Sequence, residues 1–482
     1  MSSRKVIATS GVRMDMNIRK NGIAMVAVAV FITVPIGMAA QQPPNIVFLY
    51  ADDQGWNALS SQMDPDIPGS KSDFFQTPNL DRLCKEGMRF TQGYAPAPLC
   101  TPSRNSVQFG VTPAKARVTI INFDESRQFG NPEQALGNLI KRADSRYVTA
   151  HFGKWHIHDV SPAECGYDFS DGETTNVEGN RKPNDDLNDP TDPKRVKELT
   201  ARAIDFIRTQ NNAGNPFYLQ VSHYADHAVF RSSPEMRAKY DKLKPGKIHA
   251  DANFAAMNED LDLGVGAILD ELVRQGIADN TYVVYTSDNG WQLDKERFAV
   301  PENKSRPLRY GKNYVYEGGI RVPFIVSGPG IEPGSVSRVP VIGYDLMPTF
   351  LDMIAPGTKP PAYTEGGSML PILKNEGKGI IKRPDDFFVF HRSVAKRGDG
   401  TAFREGSYKI IVYWETQRIL LFDLSKDIGE QDDISSQHPE LTQKMFKKAQ
   451  KYLERVNAEK VIARKITHKS ARHRKRKRFF DC

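Results

Sequence analysis

The chain has 482 residues, of which 39% are hydrophobic and 10% aromatic, and this composition is ordinary for a globular protein of two or three domains. The formal net charge of +8 comes from the two ends, since residues 1–40 carry +4, residues 460–478 carry +10 and Asp481 carries −1, which leaves −5 on residues 41–459. The net positive charge is therefore not a property of the body of the protein, residues 41–459. We expect no nucleic-acid partner for it.

The N-terminal 40 residues have the order of a secretory signal peptide. The basic pair Arg19-Lys20 precedes an apolar run over residues 23–38, and the small pair Ala39-Ala40 follows it. This order predicts cleavage after Ala40, export to the periplasm or the medium, and no stable membrane insertion afterwards. A membrane anchor is the alternative, because the run approaches the length of a membrane span, although Pro35 and Gly37 interrupt it.

Short apolar runs alternate with longer segments of helical periodicity. This alternation predicts an α/β fold, with a large, mostly parallel mixed sheet sandwiched by helices. The predicted strands are Ile46–Tyr50, Tyr147–Ala150, Phe217–Val221, Tyr282–Thr286 and Phe324–Ser327, and the predicted helices include Leu80–Glu86, Lys194–Arg208 and Ala252–Arg274.

A Pro/Gly-rich stretch, Ala355–Pro361, predicts a boundary between two domains. A catalytic domain would occupy residues 41–355, and a smaller α+β subdomain with a short antiparallel sheet would occupy residues 356–459. Its expected elements are strands Phe387–Phe390, Tyr408–Tyr413 and Ile419–Phe422 and a helix from Pro439. The basic residues 460–482 are predicted to be a disordered tail.

Polar residues follow two of the predicted strands directly. Asp52 and Asp53 follow the first strand, and Asp288 and Asn289 follow strand Tyr282–Thr286. The carboxyl ends of parallel strands meet at one edge of a sheet, and three gathered acids repel one another unless a cation lies between them. Oxygen ligands favour Ca²⁺ or Mg²⁺. Solvated turns at the strand ends are the alternative, since Asp and Asn are common turn residues.

The segment Cys100-Thr101-Pro102-Ser103-Arg104 resembles the C-x-P-S-R signature of the type I, formylglycine-dependent sulfatases of the alkaline-phosphatase-like superfamily. The resemblance extends over most of residues 44–435. It implies that a maturation enzyme oxidises Cys100 to formylglycine, whose hydrated aldehyde is the nucleophile. It also implies a metal site, usually for Ca²⁺, formed by Asp52, Asp53, residue 100, Asp288 and Asn289.

The residues after Cys100 predict the start of a helix, with Thr101 as N-cap and Pro102 in the first turn. Cys100 would then lie at the positive end of that helix, where a sulfate ester is favoured. The resemblance implies that Arg104 helps to hold the formylglycine and the metal site.

Three further segments resemble the same family. Gly153-Lys154-Trp155-His156 implies that Lys154 contacts sulfate and that His156 is the base that releases it. The segment Leu308–Pro323 implies that Lys312 contacts a sulfate oxygen.

In Ser222–His227, His227 aligns with the family's general acid, which donates a proton to the bridging ester oxygen. Asp226 replaces the family's proline, and we expect this neighbouring carboxylate to raise the basicity of His227. His223 is the competing candidate for the same role.

Four cysteines are present, at positions 84, 100, 165 and 482. If Cys100 is the catalytic precursor it is not bridged, and Cys84–Cys165 is then one possible disulfide. The alternative is that Cys84 is a buried apolar residue of a helix.

These observations predict a sulfuric ester hydrolase that acts on a sulfated small molecule, such as an aryl sulfate, or on a sulfated polysaccharide. A phosphatase or phosphodiesterase of the same superfamily is one alternative. A non-enzymatic polyanion-binding protein that uses the basic tail is the other.

Overall fold

The computed structural model describes residues 42–121, 129–180, 188–292, 304–395 and 399–463. The predicted signal peptide and residues 464–482 of the predicted tail lie outside the described residues. Among the described residues, no helix has both the length and the apolarity needed to cross a membrane.

The central element is a mixed sheet of eight strands in the order β5-β4-β6-β1-β7-β8-β2-β9. The first five of these are parallel to one another, whereas β8 is antiparallel to both of its neighbours. In chain order the strands are β1 (Asn45–Ala51), β2 (Met88–Phe90), β3 (Gly93–Tyr94), β4 (Val148–Gly153), β5 (Phe169–Ser170), β6 (Phe217–Ser222), β7 (Thr281–Ser287), β8 (Phe324–Ser327), β9 (Ser335–Ser337), β10 (Val341–Ile342), β11 (Phe387–His391), β12 (Val394–Ala395), β13 (Asp399–Glu405), β14 (Tyr408–Tyr413), β15 (Arg418–Asp423) and β16 (Ile462–Ala463). The predicted fold class is therefore confirmed.

Helices cover both faces of this sheet, as the continuous apolar runs of its strands require. Along β1, Val47 and Leu49 face one hydrophobic core, and Ile46 and Phe48 face the other. In chain order the helices are α1 (Pro78–Glu86), α2 (Cys100–Phe109), α3 (Pro113–Ala116), α4 (Leu136–Ala143), α5 (Val196–Ala213), α6 (Pro234–Tyr240), α7 (Ala252–Arg274), α8 (Glu317–Ile320), α9 (Leu346–Ile354), α10 (Leu370–Leu373) and α11 (Pro439–Arg455). Helices α1, α5 and α7 contribute to the first core, and α2, α4 and α9 to the second.

A second, antiparallel sheet follows in the order β11-β13-β14-β15. One of its faces packs against α11, and the other packs against residues of the large domain that include Tyr94 and Ile342. The antiparallel sheet expected in the C-terminal region is thus present. Residues Met369–Ile381, which follow the expected boundary, still contribute to the core of the large sheet, because apolar residues of α10 are buried there. The strand pair β12–β16 extends the described chain to Ala463, inside the segment expected to be tail.

The possible disulfide between Cys84 and Cys165 does not form. Both cysteines are buried and outside any disulfide, and they belong to hydrophobic cores on opposite faces of the large sheet. Cys84 lies on α1, as the alternative interpretation expected.

Candidate active site

The carboxyl ends of β1 and β7 bring the predicted acids together. These strands are neighbours and pair in parallel up to Ala51 and Ser287, so the residues that follow them lie side by side. Oxygens of Asp52, Asp53 and Asp288 lie within 4.8 Å of one another, and all three residues are buried. The predicted gathering of strand-end acids is therefore present in the fold.

Each of the three acids has a buried cationic partner. The pairs are Lys154–Asp52 at 2.6 Å, Lys312–Asp53 at 2.7 Å and Arg104–Asp288 at 2.8 Å. Arg104 Nε donates a hydrogen bond to Asp288 Oδ2 at 2.9 Å, and Nη2 lies 2.8 Å from the same oxygen in the ion pair. Arg104 Nη1 donates to the carbonyl oxygen of Lys154 at 2.6 Å. The structure thus brings together three of the cations that the sequence motifs singled out, although they come from three separate segments.

The donor set fits a hard divalent cation. Asn289 donates through Nδ2 to Asp53 at 2.7 Å, while Asn289 Oδ1 and Asp52 Oδ1 are buried without a hydrogen-bond partner among the described residues. Buried polar oxygens without partners are unusual, and oxygen atoms are the ligands that Ca²⁺ and Mg²⁺ prefer. Burial and the neighbouring Asp52 raise the pKa of Asp288 to about 7. A cation at this point would relieve that repulsion.

Cys100 is the first residue of α2. The N-cap is Leu99, so the expectation that Thr101 caps the helix is wrong by two positions. The Ser103 hydroxyl exchanges hydrogen bonds with both backbone groups of Ala97, at 3.0 and 3.1 Å, and this loop-to-helix link leads the helix to begin at Cys100. The unpaired N–H groups of the first turn of the helix therefore lie at Cys100 itself.

The Cys100 thiol is buried, and burial raises its pKa even though Lys154 and Lys312 act in the opposite direction. A thiol with a raised pKa remains protonated at neutral pH and is a poor nucleophile. The unmodified cysteine is therefore unsuited to direct attack, although it lies near enough to both lysines and to Asp288 to sense their charges.

His156 follows β4 and adopts a left-handed backbone conformation with φ of 54°. Its backbone N–H donates to Thr174 at 2.8 Å, and burial followed by the charge of Lys154 lowers its pKa well below the usual range. Asp53 has a similar φ of 61°. Such conformations cost about 1–3 kcal/mol in a non-glycine residue and are concentrated at functional sites.

His227 faces the acid cluster, with its Nε2 3.8 Å from Asp53 Oδ2 and its Nδ1 in contact with the carbonyl oxygen of Ala228. The expectation that Asp226 raises the basicity of His227 is wrong. The Asp226 carboxylate instead accepts a hydrogen bond from Gln54 at 3.2 Å, and burial together with Lys312 lowers the pKa of His227.

His223 is fully buried, and neither ring nitrogen has a hydrogen-bond partner among the described residues. Burial lowers its pKa to about 3, and its backbone N–H donates to Tyr50. Of the two histidines, it is His227 that contacts the acid cluster.

Two residues that no sequence motif singled out also reach this region. Lys194 donates to the carbonyl oxygen of His227 at 2.8 Å and to Asn180 Oδ1 at 2.7 Å. Lys194 and Asn180 both lie in loops that are far from His227 along the chain. No sequence signal marks Asn180, and the position of Lys194 at the start of a predicted helix does not indicate a contact with His227.

The fold and the charged cluster at its carboxyl edge define an alkaline-phosphatase-like hydrolase. Residues 44–355 match the profile of the Sulfatase family, and residues 308–459 match the profile described as N-sulphoglucosamine sulphohydrolase, C-terminal. The chain belongs to the Sulfatase family.

A relative agrees with this assignment, and solved structures share the fold. The chain is 31% identical to N-acetylgalactosamine-6-sulfatase of Mus musculus, over 83% of this chain and 84% of the relative. It shares its fold with Ps i-CgsB in complex with k-i-k-neocarrahexaose, with a TM-score of 0.69 and 24% identity over 86% of this chain and 93% of that chain. It also shares its fold with BT4656 in complex with its substrate D-glucosamine-2-N,6-O-disulfate, with a TM-score of 0.66 and 20% identity over 86% and 98% of the two chains.

Proposed function

We propose that this sulfatase cleaves sulfate from a sulfated carbohydrate or an aryl sulfate by means of a formylglycine made from Cys100, with a bound divalent cation, Ca²⁺ in the first instance. The observation that carries the proposal is the cluster of Arg104, Lys154 and Lys312 around three buried acids, beside the first residue of α2. A sulfate monoester is an anion, so a pocket with several fixed cations and a helix N-terminus favours it electrostatically.

In this proposal Asp52, Asp53, Asp288 and Asn289 hold the cation together with residue 100. The cation would supply positive charge that stabilises the nucleophilic oxygen and the sulfuryl group. One oxygen of Asp52 and the side-chain oxygen of Asn289 support this assignment, because neither has a hydrogen-bond partner among the described residues.

The formylglycine hydrate would supply the attacking hydroxyl, and its second hydroxyl would allow sulfate to be expelled. Lys154 and Lys312 bind the sulfuryl oxygens and offset their charge, while Arg104 fixes the orientation of Asp288. His156, whose low pKa keeps it unprotonated, removes a proton from the second hydroxyl.

His227 protonates the leaving oxygen through Nε2, the ring nitrogen that lies on the side of Asp53. Without substrate, burial and nearby lysines favour the neutral ring. An anionic sulfate ester placed between His227 and the lysines favours the imidazolium instead, because an opposite charge nearby raises the pKa of a histidine. Substrate binding would thereby charge the general acid.

The substrate class rests on the relatives, some of whose printed names refer to amino sugars and aryl sulfates, including N-acetylgalactosamine-6-sulfatase and arylsulfatase A. We propose export through the signal peptide of residues 1–40 and conversion of Cys100 by a formylglycine-generating enzyme. Export would bring the enzyme to sulfated carbohydrates that occur outside cells, and conversion of Cys100 would supply its nucleophile.

The test is a Cys100→Ala variant with 4-nitrophenyl sulfate as substrate, combined with intact-mass analysis of the peptide that holds residue 100. We expect loss of hydrolysis in the variant, and in the active protein a mass that corresponds to an aldehyde in place of the thiol. Cys84→Ala is the matched control, because Cys84 is also buried but belongs to the core under α1. Full activity of Cys100→Ala, or faster turnover of the matched aryl phosphate by the wild-type protein, would refute the proposal.

A further inference from the structure

We propose that Asn180 and Lys194 are positioning residues for His227, a role that rests on the general-acid function proposed above. Together they form a polar bracket, which we call the His227 bracket. It contacts three consecutive backbone units, from His227 to Val229.

The bracket makes four hydrogen bonds. Lys194 Nζ donates to the carbonyl oxygen of His227 at 2.8 Å, and Asn180 Nδ2 donates to the carbonyl oxygen of Ala228 at 3.1 Å. The backbone N–H of Val229 donates to Asn180 Oδ1 at 3.2 Å, and the same oxygen accepts from Lys194 at 2.7 Å. Asn180 therefore uses both ends of its amide on this segment, and Lys194 fixes which end is the acceptor.

The held segment has no regular structure of its own. It follows β6, and its link to the preceding residues is the bond from the His227 N–H to the carbonyl oxygen of Tyr224 at 3.1 Å. The loop of Asn180 also lies directly against Tyr224, three residues before His227, because a Cβ at Gly179 would come within 2.3 Å of the Tyr224 side chain. The bracket therefore joins two loops that sequence separates by more than forty residues.

Holding this backbone also orients the His227 ring. Its Nδ1 contacts the carbonyl oxygen of Ala228, which is the same oxygen that Asn180 binds. When that carbonyl is fixed, Nδ1 is fixed, and Nε2 is left on the side of Asp53, 3.8 Å from Oδ2. A small change in the direction of the Ala228 carbonyl would rotate the proton donor away from the ester oxygen, and misplacement of about 1 Å can cost about 100-fold in rate.

A buried lysine such as Lys194 is an unusual choice for a bond that serves only the structure. It is 2% exposed, and its Nζ donates to two neutral oxygens without a carboxylate at hydrogen-bond distance among the described residues. Burial without an ion pair lowers the pKa of Lys194 to about 7. Buried lysines with shifted pKa values are concentrated at functional sites, and the bond from Lys194 to the carbonyl oxygen of the proposed general acid indicates which step it serves.

The step concerned is cleavage of the bond between sulfur and the ester oxygen. As that bond breaks, its electron pair goes to the oxygen, and the Nε2 proton of His227 goes to the same oxygen. A good leaving group such as 4-nitrophenolate needs little protonation, whereas phenolate needs more. Loss of the bracket should therefore slow the hydrolysis of phenyl sulfate much more than that of 4-nitrophenyl sulfate.

The experiment compares kcat for these two aryl sulfates in the matured full-length protein and its variants. For Asn180→Ala and Lys194→Met we expect kcat to fall at least 10-fold for phenyl sulfate and less than about 3-fold for 4-nitrophenyl sulfate, since general acids contribute about 100- to 10,000-fold. Asn180→Asp keeps the acceptor for Val229 and Lys194 and should recover part of the loss. Thermal unfolding of each variant identifies those that do not fold.

Glu178→Ala is the matched control, since Glu178 lies in the same loop and its carboxylate binds Thr175, outside the bracket. It should not change the ratio of the two rates. Equal loss for both substrates in folded Asn180→Ala and Asn180→Asp would overturn the inference. His227→Ala separates this failure from that of the proposed function, because a His227→Ala variant with an unchanged ratio would refute the general-acid role itself.

Discussion

Lys312 places its Nζ 2.7 Å from one carboxylate oxygen of Asp53 and 2.8 Å from the other. The neighbouring acids Asp52 and Asp288 are paired in the same way with Lys154 and Arg104. Each acid of this buried cluster therefore has a cationic partner from the chain itself. Because these pairs do not depend on a metal ion, we expect the fold around the site to be largely independent of a bound cation.

Chelation should therefore abolish activity without unfolding the protein. After EDTA treatment and removal of the chelator, we expect at least a 100-fold loss of 4-nitrophenyl sulfate hydrolysis, and recovery when Ca²⁺ is added back. The free energy of unfolding should fall by only about 3 kcal/mol, the value expected for a ligand present at 100 times its dissociation constant. Activity assays and thermal unfolding on the same samples measure both quantities. Undiminished turnover by protein shown to be metal-free would contradict the metal assignment.

Arg104→Lys should be far from conservative. Arg104 donates one hydrogen bond to Asp288 and one to the carbonyl oxygen of Lys154, and its Nη2 also lies 2.8 Å from Asp288. A lysine cannot reproduce this planar arrangement. Removal of one partner from a buried ion pair costs about 3–5 kcal/mol, and we expect Arg104→Lys to lose about 3 kcal/mol in the free energy of urea unfolding. Activity should fall with it, because Asp288 loses its orientation. Arg82→Lys, which alters a half-exposed pair with Asp270, should change stability by less than about 1 kcal/mol; similar losses in both variants would disprove the argument.

The features that the sequence predicted best are those that depend on a local pattern of residues, such as an apolar strand or the polar residues that follow it. Asp53 and Asp288 could be placed together because both follow apolar strands, and neighbouring parallel strands end at the same edge of a sheet. A continuous apolar run likewise predicted β8, and helical periodicity predicted α7, each with the bounds that the structure has. Each of these patterns lies within a single segment of the chain, so it can be recognised without knowledge of the tertiary contacts.

Side-chain directions and loop contacts could not be predicted in this way. Adjacency in the sequence suggested that Asp226 would act on His227, but successive side chains of a loop can point apart, and Asp226 binds Gln54. Lys194 reaches His227 across 33 positions, and no pattern in either segment marks that contact. The helix start at Cys100 depends on the bonds between Ser103 and Ala97, which depend on the loop geometry before the helix.

A buried ion cluster connects the antiparallel sheet to the segment that carries Lys312. Lys409 of β14 lies 2.9 Å from Glu317 and 2.7 Å from Glu430, and Glu317 also accepts a bond from Arg321 at 2.8 Å. Burial raises the pKa of Glu430 to about 7, with Lys409 acting against it. Although burial also acts to raise the pKa of Glu317, Lys409 and Arg321 lower it to about 2. Glu430 is thus the acid of this cluster that carries a proton near neutrality.

Glu430→Gln should flatten the dependence of stability on pH between about 4.5 and 7. In this window folded Glu430 keeps a proton that the unfolded chain has lost near pH 4.3, so the folded state binds more protons and the free energy of unfolding falls as pH rises. The fall should be roughly 3 kcal/mol in the wild-type protein, at about 1.4 kcal/mol for each unit of pKa difference. Glutamine stays neutral throughout and should remove this component. Urea unfolding at several pH values measures this component of the free energy of unfolding. Glu376→Gln, which alters an exposed pair with Lys378, serves as the control. If the free energy of unfolding depends on pH in the same way for the wild type and Glu430→Gln, the raised pKa is excluded.

Deletion of residues 464–482 should weaken retention on a sulfated polysaccharide. This segment holds nine Lys or Arg residues and a single acidic residue, whereas residues 41–459 carry a net charge of −5. Truncation after Ala463 preserves the pairing of β16 with β12, so the fold should be unaffected. We expect the truncated protein to elute from immobilised heparin at a lower salt concentration, because the positive charges of the tail attract a polyanion and salt screens that attraction. Turnover of 4-nitrophenyl sulfate should be unchanged, because the tail has no role in the chemistry. Replacement of the Lys and Arg residues in Arg472–Arg478 by Gln keeps the length of the tail and should reproduce most of the effect. Identical elution of all three proteins would show that the basic residues make no contact with the polymer.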